Sequence, residues 1–142
     1  MKVWVLFSDD YYKNIEGIYT TEGKLKKEEQ LFAEAIERRA KVNEQYTAEI
    51  TELKELRQPY ITEAEMLLDA EKAAKEANHT SKLKEVRKQR KVLLRQAEYL
   101  TYDIKRKEEK ILASQRLTRA ELISTYGRDC YWEEHWLEGD QT

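Results

Sequence analysis

Seven side chains in the carboxyl-terminal half of the chain have the types that a nucleotide site requires. They are Tyr99, Tyr102, Arg106, Arg116, Arg119, Tyr126 and Arg128. Guanidinium groups bind phosphates through paired hydrogen bonds, and aromatic rings stack on a purine. We therefore predict that these residues bind a small phosphorylated ligand. For Tyr99 and Tyr102, which flank the helical core position Leu100, a place at the border of a helical seam is the alternative.

A second group of cations forms a run between Val86 and Ala97 with no acidic residue among them. It contains Arg87, Lys88, Arg90, Lys91 and Arg95. One interpretation is phosphate contact, and the other is a solvated helix face whose charge is balanced by the acidic helix before it. The net charge of −2 and the pI near 5.9 argue against DNA or RNA as a partner, because a duplex binder normally presents a larger basic surface.

The sequence predicts no catalytic site and no metal site. His79 and His135 lack cysteine or carboxylate neighbours at zinc-ligand spacing, and the glycines form no phosphate-binding loop. Glu133 and Glu134 are adjacent in a predicted strand, so they point to opposite faces and cannot act as an acid–base pair. Cys130 is expected to be a small buried side chain rather than a reactive thiol. We expect a protein that is not an enzyme and needs no cofactor.

The elements that must position these residues differ between the ends and the middle of the chain. Residues 1–20 are rich in β-formers and predict two strands with a turn at Asp9 and Asp10, and residues 129–138 alternate as a third strand. The middle is dominated by Glu, Lys, Ala and Leu. We therefore predict an α+β fold in which both termini form one small antiparallel sheet.

The middle of the chain predicts a long antiparallel helix-turn-helix arm. Pro59 and a capping-box spacing from Thr62 to Glu65 predict a bend or a restart of the helix near residues 58–62. A heptad pattern with one exception, Arg90, predicts a packed seam along the returning helix. The predicted helices are 22–57, 62–77 and 82–115 in the arm, with a short helix over 118–126. The apolar stripe of the first helix is Phe32, Ile36, Val42, Tyr46, Ile50, Leu53 and Leu56.

All 142 residues are expected to form a single domain. With 38% charged and 40% hydrophobic residues, the chain has little apolar surface for a large core. We therefore expect the arm to pack with a second protomer, as a homodimer or a higher homo-oligomer. One cysteine and no apolar run long enough for a membrane span indicate a cytosolic protein with no membrane partner.

The layout resembles a known family. The "KVWVL" strand, a second strand near "EGIYT", the long helix-turn-helix and the terminal "YWEEHWL" strand look like the first-described family of phage Thoeris anti-defence proteins. The resemblance covers essentially the whole chain. It implies a homodimer or larger assembly in the cytoplasm of the infected bacterial host. It further implies that the protein sequesters glycocyclic ADP-ribose, a cyclic ADP-ribose signal, without degrading it, so that TIR-based defence is not activated.

The same resemblance implies that cyclic oligonucleotide signals bind at separate sites. The seven site residues given above rest on their own chemistry and expected location. The alternative function is that of a structural or adaptor coiled-coil protein, in which the sheet caps a helical stalk. Its basic face would then bind nucleic acid or an acidic protein. Capture of a small nucleotide distinguishes the two functions, since sequestration requires only affinity.

Overall fold

The computed structural model describes residues 1–8 and 14–137, and in that part of the chain there are three strands and three helices. In chain order they are β1 (Lys2–Ser8), β2 (Asn14–Tyr19), α1 (Thr21–Glu76), α2 (Thr80–Gln115), α3 (Arg119–Tyr126) and β3 (Cys130–Trp136). The predicted α+β class is confirmed. The predicted turn at Asp9 and Asp10 and the last residue of the predicted third strand, Glu138, lie outside the described residues.

The two ends of the chain lie side by side in one antiparallel sheet, as predicted. The strand order is β2-β1-β3, so β1 is the central strand. Lys2 pairs with Trp136 and Ser8 pairs with Cys130, which aligns β1 and β3 along their whole length. The β-branched and aromatic residues of β1 are covered by a strand on either side, and Leu6 is completely buried. The first and last segments therefore belong to one sheet, whose buried apolar residues lie in β1.

The predicted restart near Pro59 is wrong, because α1 runs continuously from Thr21 to Glu76 with Pro59 inside it. A proline costs a helix one backbone hydrogen bond and adds a steric clash with the preceding turn. Packing on both sides of Pro59 offsets this cost. Arg57 Nη1 donates to Thr101 Oγ1 of α2 at 3.0 Å, and Ala64 is buried one turn beyond the proline. The predicted helices 22–57 and 62–77 are thus one element.

The chain divides into two compact units. The first comprises Met1–Val42 and Ser114–Thr142, and the second comprises Asn43–Ala113. The core of the first unit includes Leu6 of β1, Leu31 of α1 and Leu122 of α3, all of them buried. The sheet, the start of α1 and the whole of α3 therefore form one packed body.

In the second unit, α1 and α2 pack against each other in antiparallel orientation. Lys107 of α2 contacts Glu49 of α1, whereas Arg87 of α2 contacts Glu71, so the pairing runs in opposite directions along the two helices. Val86, Ala97 and Ile104 are buried at the predicted heptad positions. The predicted heptad seam of the returning helix is confirmed.

Three side chains depart from the predicted seam. Leu56 was assigned to the apolar stripe of the first helix, but its side chain is 60% exposed, and its neighbour Arg57 faces α2 instead. Ile36, assigned to the same stripe, is also exposed. Arg90 occupies a heptad core position because its guanidinium Nη1 reaches Glu71 Oε2 at 3.3 Å. An ion pair at that position replaces an apolar contact.

Glu71 is the acidic partner of two arginines of α2, and this predicts a pH dependence of stability. The hydrogen bond that Arg87 Nε donates to Glu71 Oε1 at 2.8 Å lowers the pKa of the Glu71 carboxyl below its ordinary value of 4.5. A lowered folded-state pKa contributes stability above pH 4.5, and that contribution is lost as the pH falls through the folded value. We expect Glu71→Gln to lower the urea midpoint of unfolding at about pH 7 and to have much less effect at about pH 3.

Glu55→Gln is the matched control, because Glu55 is an exposed glutamate of the same helix. An equal loss of stability for Glu71→Gln at both pH values would contradict the ionic role of Glu71. An equal loss for the two variants at neutral pH would contradict it as well.

Candidate functional site

The first unit contains a cavity of about 650 Å³ between α1, α3 and β3. This volume is in the range of cavities that hold small ligands. Its apolar walls are formed by Leu31, Ala120, Ile123 and Trp132, and its polar groups come from Glu28, Arg119, Ser124, Arg128, Asp129 and Cys130. Two cations, two acids and one large aromatic ring therefore meet at one concave surface.

α3 positions both arginines of the cavity. Thr118 caps the helix: its hydroxyl accepts from the Glu121 amide at 3.3 Å and donates to the Glu121 carboxylate at 2.9 Å. Thr118 is thus the predicted N-cap, and Glu121 bonds to its hydroxyl rather than to its backbone amide as in a full capping box. Arg119 is the first residue of α3, and Arg128 follows Gly127, whose amide donates to the Ile123 carbonyl at 2.8 Å as the helix ends. The short helix thus places one guanidinium at its start and one beyond its end.

Arg119 is held by a carboxylate and an aromatic ring of α1. Its Nη2 forms an ion pair with Glu29, and its guanidinium carbon lies 4.3 Å from the centre of the Phe32 ring. A guanidinium over a ring face is attracted by the ring quadrupole. The side chain is nevertheless half exposed, so it is ordered and still accessible to a ligand.

Arg128 contacts two carboxylates from different elements. Its Nη1 lies 3.4 Å from Glu16 Oε1 of β2, and its Nε lies 3.9 Å from Glu34 Oε2 of α1. Exposed ion pairs of this kind contribute only about 0–1 kcal/mol each, because water screens them. A phosphate that offers shorter, paired hydrogen bonds can replace them.

Trp132 is the largest side chain of the cavity wall, and aromatic and cationic neighbours hold it in place. Its ring meets Tyr19 edge to face, with the ring centres 5.5 Å apart. Lys24 Nζ lies 5.8 Å from its ring centre and 3.9 Å from that of Trp4. Trp132 was predicted to lie in the third strand and was not among the predicted site residues. The alternation of Cys130 and Trp132 on one strand face was the signal that could have done so, because both residues line the cavity.

Cys130 is not activated by its surroundings. Burial, and then the nearby Glu16 carboxylate, raise the pKa of the Cys130 thiol above its ordinary value of 9.0. At neutral pH the thiol is therefore protonated, and a protonated thiol is a weak nucleophile. Its contribution to the cavity is apolar surface.

Of the seven predicted site residues, the structure brings Arg119 and Arg128 together at this cavity. Tyr126 is the last residue of α3, and its carbonyl accepts from Arg38 Nη1 at 3.1 Å. Arg116 directly follows α2 and is exposed. Within the described residues, neither Tyr126 nor Arg116 lines the cavity.

The other three predicted site residues belong to the second unit. Tyr99 and Tyr102 line a hollow of about 580 Å³ together with Arg95. Arg106 lines a different hollow of about 390 Å³ beside Glu49 and Asp103. The predicted residues therefore fall into separate groups within the described part of the chain.

Residues 1–8 and 14–137 hold no cluster of three or more His, Cys, Asp or Glu side chains suited to a metal ion. Within the same residues, no helix combines the length and apolar character that crossing a membrane demands. No protein-family model, curated protein or solved structure matches this chain. The resemblance to the anti-defence family therefore stays a prediction.

Proposed function

We propose that the cavity of the first unit binds a small nucleotide with a diphosphate and holds it without degrading it. The observation that carries this proposal is the meeting of Arg119, Arg128 and Trp132 at one cavity of suitable size. Glycocyclic ADP-ribose is the ligand that we propose, and the role is to sequester this signal so that a TIR-based anti-phage defence stays inactive. The role belongs to the cytoplasm of an infected bacterial host.

Each part of such a ligand has a complementary group in the cavity. The diphosphate suits the two guanidinium groups, which form charge-assisted hydrogen bonds with phosphate oxygens. The purine suits the ring of Trp132, because flat aromatic systems stack with offset faces. The ribose hydroxyls are donors, and the carboxylates of Glu28 and Asp129 are acceptors. Capture needs no further chemistry.

Binding would exchange one set of partners for another. In the free protein, Arg119 contacts Glu29, and Arg128 contacts Glu16 and Glu34. A diphosphate offers several acceptor oxygens in one ligand and can accept paired hydrogen bonds from both guanidinium groups at once. The exchange therefore favours a phosphate that engages both arginines. The three carboxylates keep the arginines ordered before the ligand arrives, at some cost in affinity.

We expect Glu29→Gln to bind the nucleotide about two- to fivefold more tightly than the wild type, because Arg119 is released from a competing carboxylate. Isothermal titration calorimetry with glycocyclic ADP-ribose measures the change. Glu22→Gln is the matched control, since Glu22 of the same helix pairs with Lys26 and does not line the cavity. Weaker binding by Glu29→Gln would contradict this prediction, because it would show that Glu29 helps to bind the nucleotide and does not compete with it for Arg119.

Self-association is part of the proposal, as a homodimer or a higher homo-oligomer. The side chains of Ile15 and Ile18 in β2 are exposed. Exposed apolar side chains of this kind support the proposal that a second copy of the chain packs against β2. A sequestering protein also gains from several sites in one assembly. We extend the proposal to cyclic oligonucleotide signals as further ligands.

A capture-and-release experiment tests the proposed function. Purified protein is incubated with glycocyclic ADP-ribose, the mixture is filtered, and the retained protein is heated to release what it holds. We expect the filtrate to be depleted and the released nucleotide to have an unaltered mass and retention time. An unchanged filtrate would favour the adaptor function, and a converted product would show an enzyme. A parallel arm with a cyclic oligonucleotide tests the extension.

A further inference from the structure

One exposed face of α2 carries a line of cations and tyrosines in the second unit. Its members are Lys84, Lys88, Lys91, Arg95, Tyr99, Tyr102 and Arg106, and all seven are exposed. We call this line the basic–aromatic stripe. Successive members are three or four residues apart, which places them on one face of a helix. At ~1.5 Å per residue, the stripe is roughly 33 Å long.

The tyrosines of the stripe lie opposite the seam with α1. Ala97 and Ile104 are buried in that seam, and Tyr99 and Tyr102 are each two residues, or about 200° around a helix, from one of them. The cations lie nearer to α1, because Lys88, Lys91 and Arg106 line hollows shared with α1 residues. All seven stripe side chains are exposed, so they contribute little to the packed seam.

Ion pairing separates the stripe from the other cations of α2. Arg87 and Arg90 pair with Glu71, and Lys107 pairs with Glu49, so these three cations connect α2 to α1. For the five stripe cations, by contrast, no carboxylate among residues 1–8 and 14–137 forms an ion pair. Carboxylates do lie near the stripe without pairing with it: Glu98 beside Arg95, Asp103 beside Arg106 and Glu85 beside Lys88. Cations that form no ion pair remain available to a polyanion.

The two tyrosines narrow the choice of polyanion. Tyr99 is 64% exposed and Tyr102 is 63% exposed, and both lie between Arg95 and Arg106. With Arg95 and Lys105 they line a hollow of about 580 Å³ on the helix surface. Cations next to accessible aromatic rings are the features with which proteins hold single strands, because phosphates contact the cations and unpaired bases stack on the rings.

We propose that the basic–aromatic stripe binds single-stranded nucleic acid, DNA or RNA, without sequence preference. This activity lies in the second unit and does not depend on the nucleotide proposed for the first. The net charge of −2 led to the prediction that DNA or RNA is not a partner. That total conceals the stripe, because acidic residues elsewhere in the chain, many of them in α1, offset the basic residues of α2. A single line of cations matches one phosphate backbone better than the two backbones of a duplex.

Fluorescence anisotropy tests the stripe with labelled oligothymidylate and oligouridylate of about 20 nucleotides and a duplex of equal length. We expect both single strands to bind more tightly than the duplex at low salt. Five phosphate contacts predict that log K falls with log salt at a slope of about −3.5, since each contact on a single strand contributes about −0.7. Arg95→Gln should bring the slope closer to zero by about 0.7. Lys54→Gln, which removes an exposed lysine of α1, should leave the slope unchanged.

The tyrosines are tested separately from the charges. We expect Tyr99→Ala with Tyr102→Ala to weaken single-strand binding by about fivefold or more at an unchanged salt slope, because stacking is lost and charge is not. Circular dichroism should show unaltered helix content, as both side chains are exposed. Arg119→Ala should bind the oligonucleotides normally, which separates this test from that of the cavity.

Three results would overturn the proposal. The first is that neither single strand binds at low salt. The second is that Arg95→Gln and Lys54→Gln weaken oligonucleotide binding equally. The third is that the double tyrosine variant binds the oligonucleotides as tightly as the wild type. Polyglutamate that binds as tightly as the oligonucleotides would point to an acidic protein partner and would also overturn it.

Discussion

Arg119→Ala and Arg128→Ala should each bind glycocyclic ADP-ribose about tenfold to a hundredfold more weakly than the wild-type protein. Each substitution removes a guanidinium that lines the cavity and that would donate charge-assisted hydrogen bonds to the diphosphate. The double variant should lose capture almost completely, because the remaining contacts are stacking and neutral hydrogen bonds. Calorimetry with the purified nucleotide measures all three affinities.

Arg116→Ala is the matched control for these two variants. Arg116 belongs to the same unit, carries the same charge and is exposed, but it does not line the cavity within the described residues. Its affinity should equal that of the wild type, and size-exclusion chromatography should give the same oligomer for every variant. Full affinity in both Arg119→Ala and Arg128→Ala would remove the site assignment.

Leu6→Ala should lower the free energy of unfolding by about 2–5 kcal/mol, since it leaves a cavity at a fully buried leucine. Leu6 lies in the central strand and pairs with Gly17 of β2 and Trp132 of β3. The substitution should therefore also disturb the cavity of the first unit, whose wall includes Trp132. Urea unfolding, followed by circular dichroism, measures the stability.

Ile18→Ala is the control for the buried leucine, because Ile18 is in the same sheet and largely exposed. We expect its loss of stability to be below about 1 kcal/mol. A similar loss for Leu6→Ala and Ile18→Ala would mean that the sheet formed by the two ends does not enclose a core.

The sheet could be predicted from the sequence because its signals are local. Val3, Trp4, Val5 and Phe7 are β-formers in one short segment, and the residues from Cys130 to Trp136 include three aromatic side chains. The heptad seam of α2 and the N-cap at Thr118 could also be predicted, since each depends on residues a few positions apart. Such patterns indicate where an element begins and which of its sides is buried.

Pro59 shows where local signals fail. A proline predicts a helix end from its own chemistry, but α1 continues through Pro59. Beside the proline, Arg57 donates a hydrogen bond to Thr101 of α2, a contact that stabilises the helix there. That contact involves a residue more than 40 positions away. No window around Pro59 contains that information.

Residue types alone do not predict which side chains share a cavity. Arginine and tyrosine chemistry selected Arg119 and Arg128, which line one cavity, and also Tyr99 and Tyr102, which belong to the other unit. Trp132 was missed because a tryptophan in a strand is usually a core residue, and only the position of α3 makes it a cavity wall. Which residues share a cavity depends on how three elements meet.

Hydrogen–deuterium exchange with and without glycocyclic ADP-ribose tests the central claim most directly, since it locates the bound nucleotide on the chain. We expect slower exchange in α3 and β3, whose residues line the cavity of the first unit, and no change in residues 43–113. Protection confined to residues 43–113, or none at saturating nucleotide, would contradict the account.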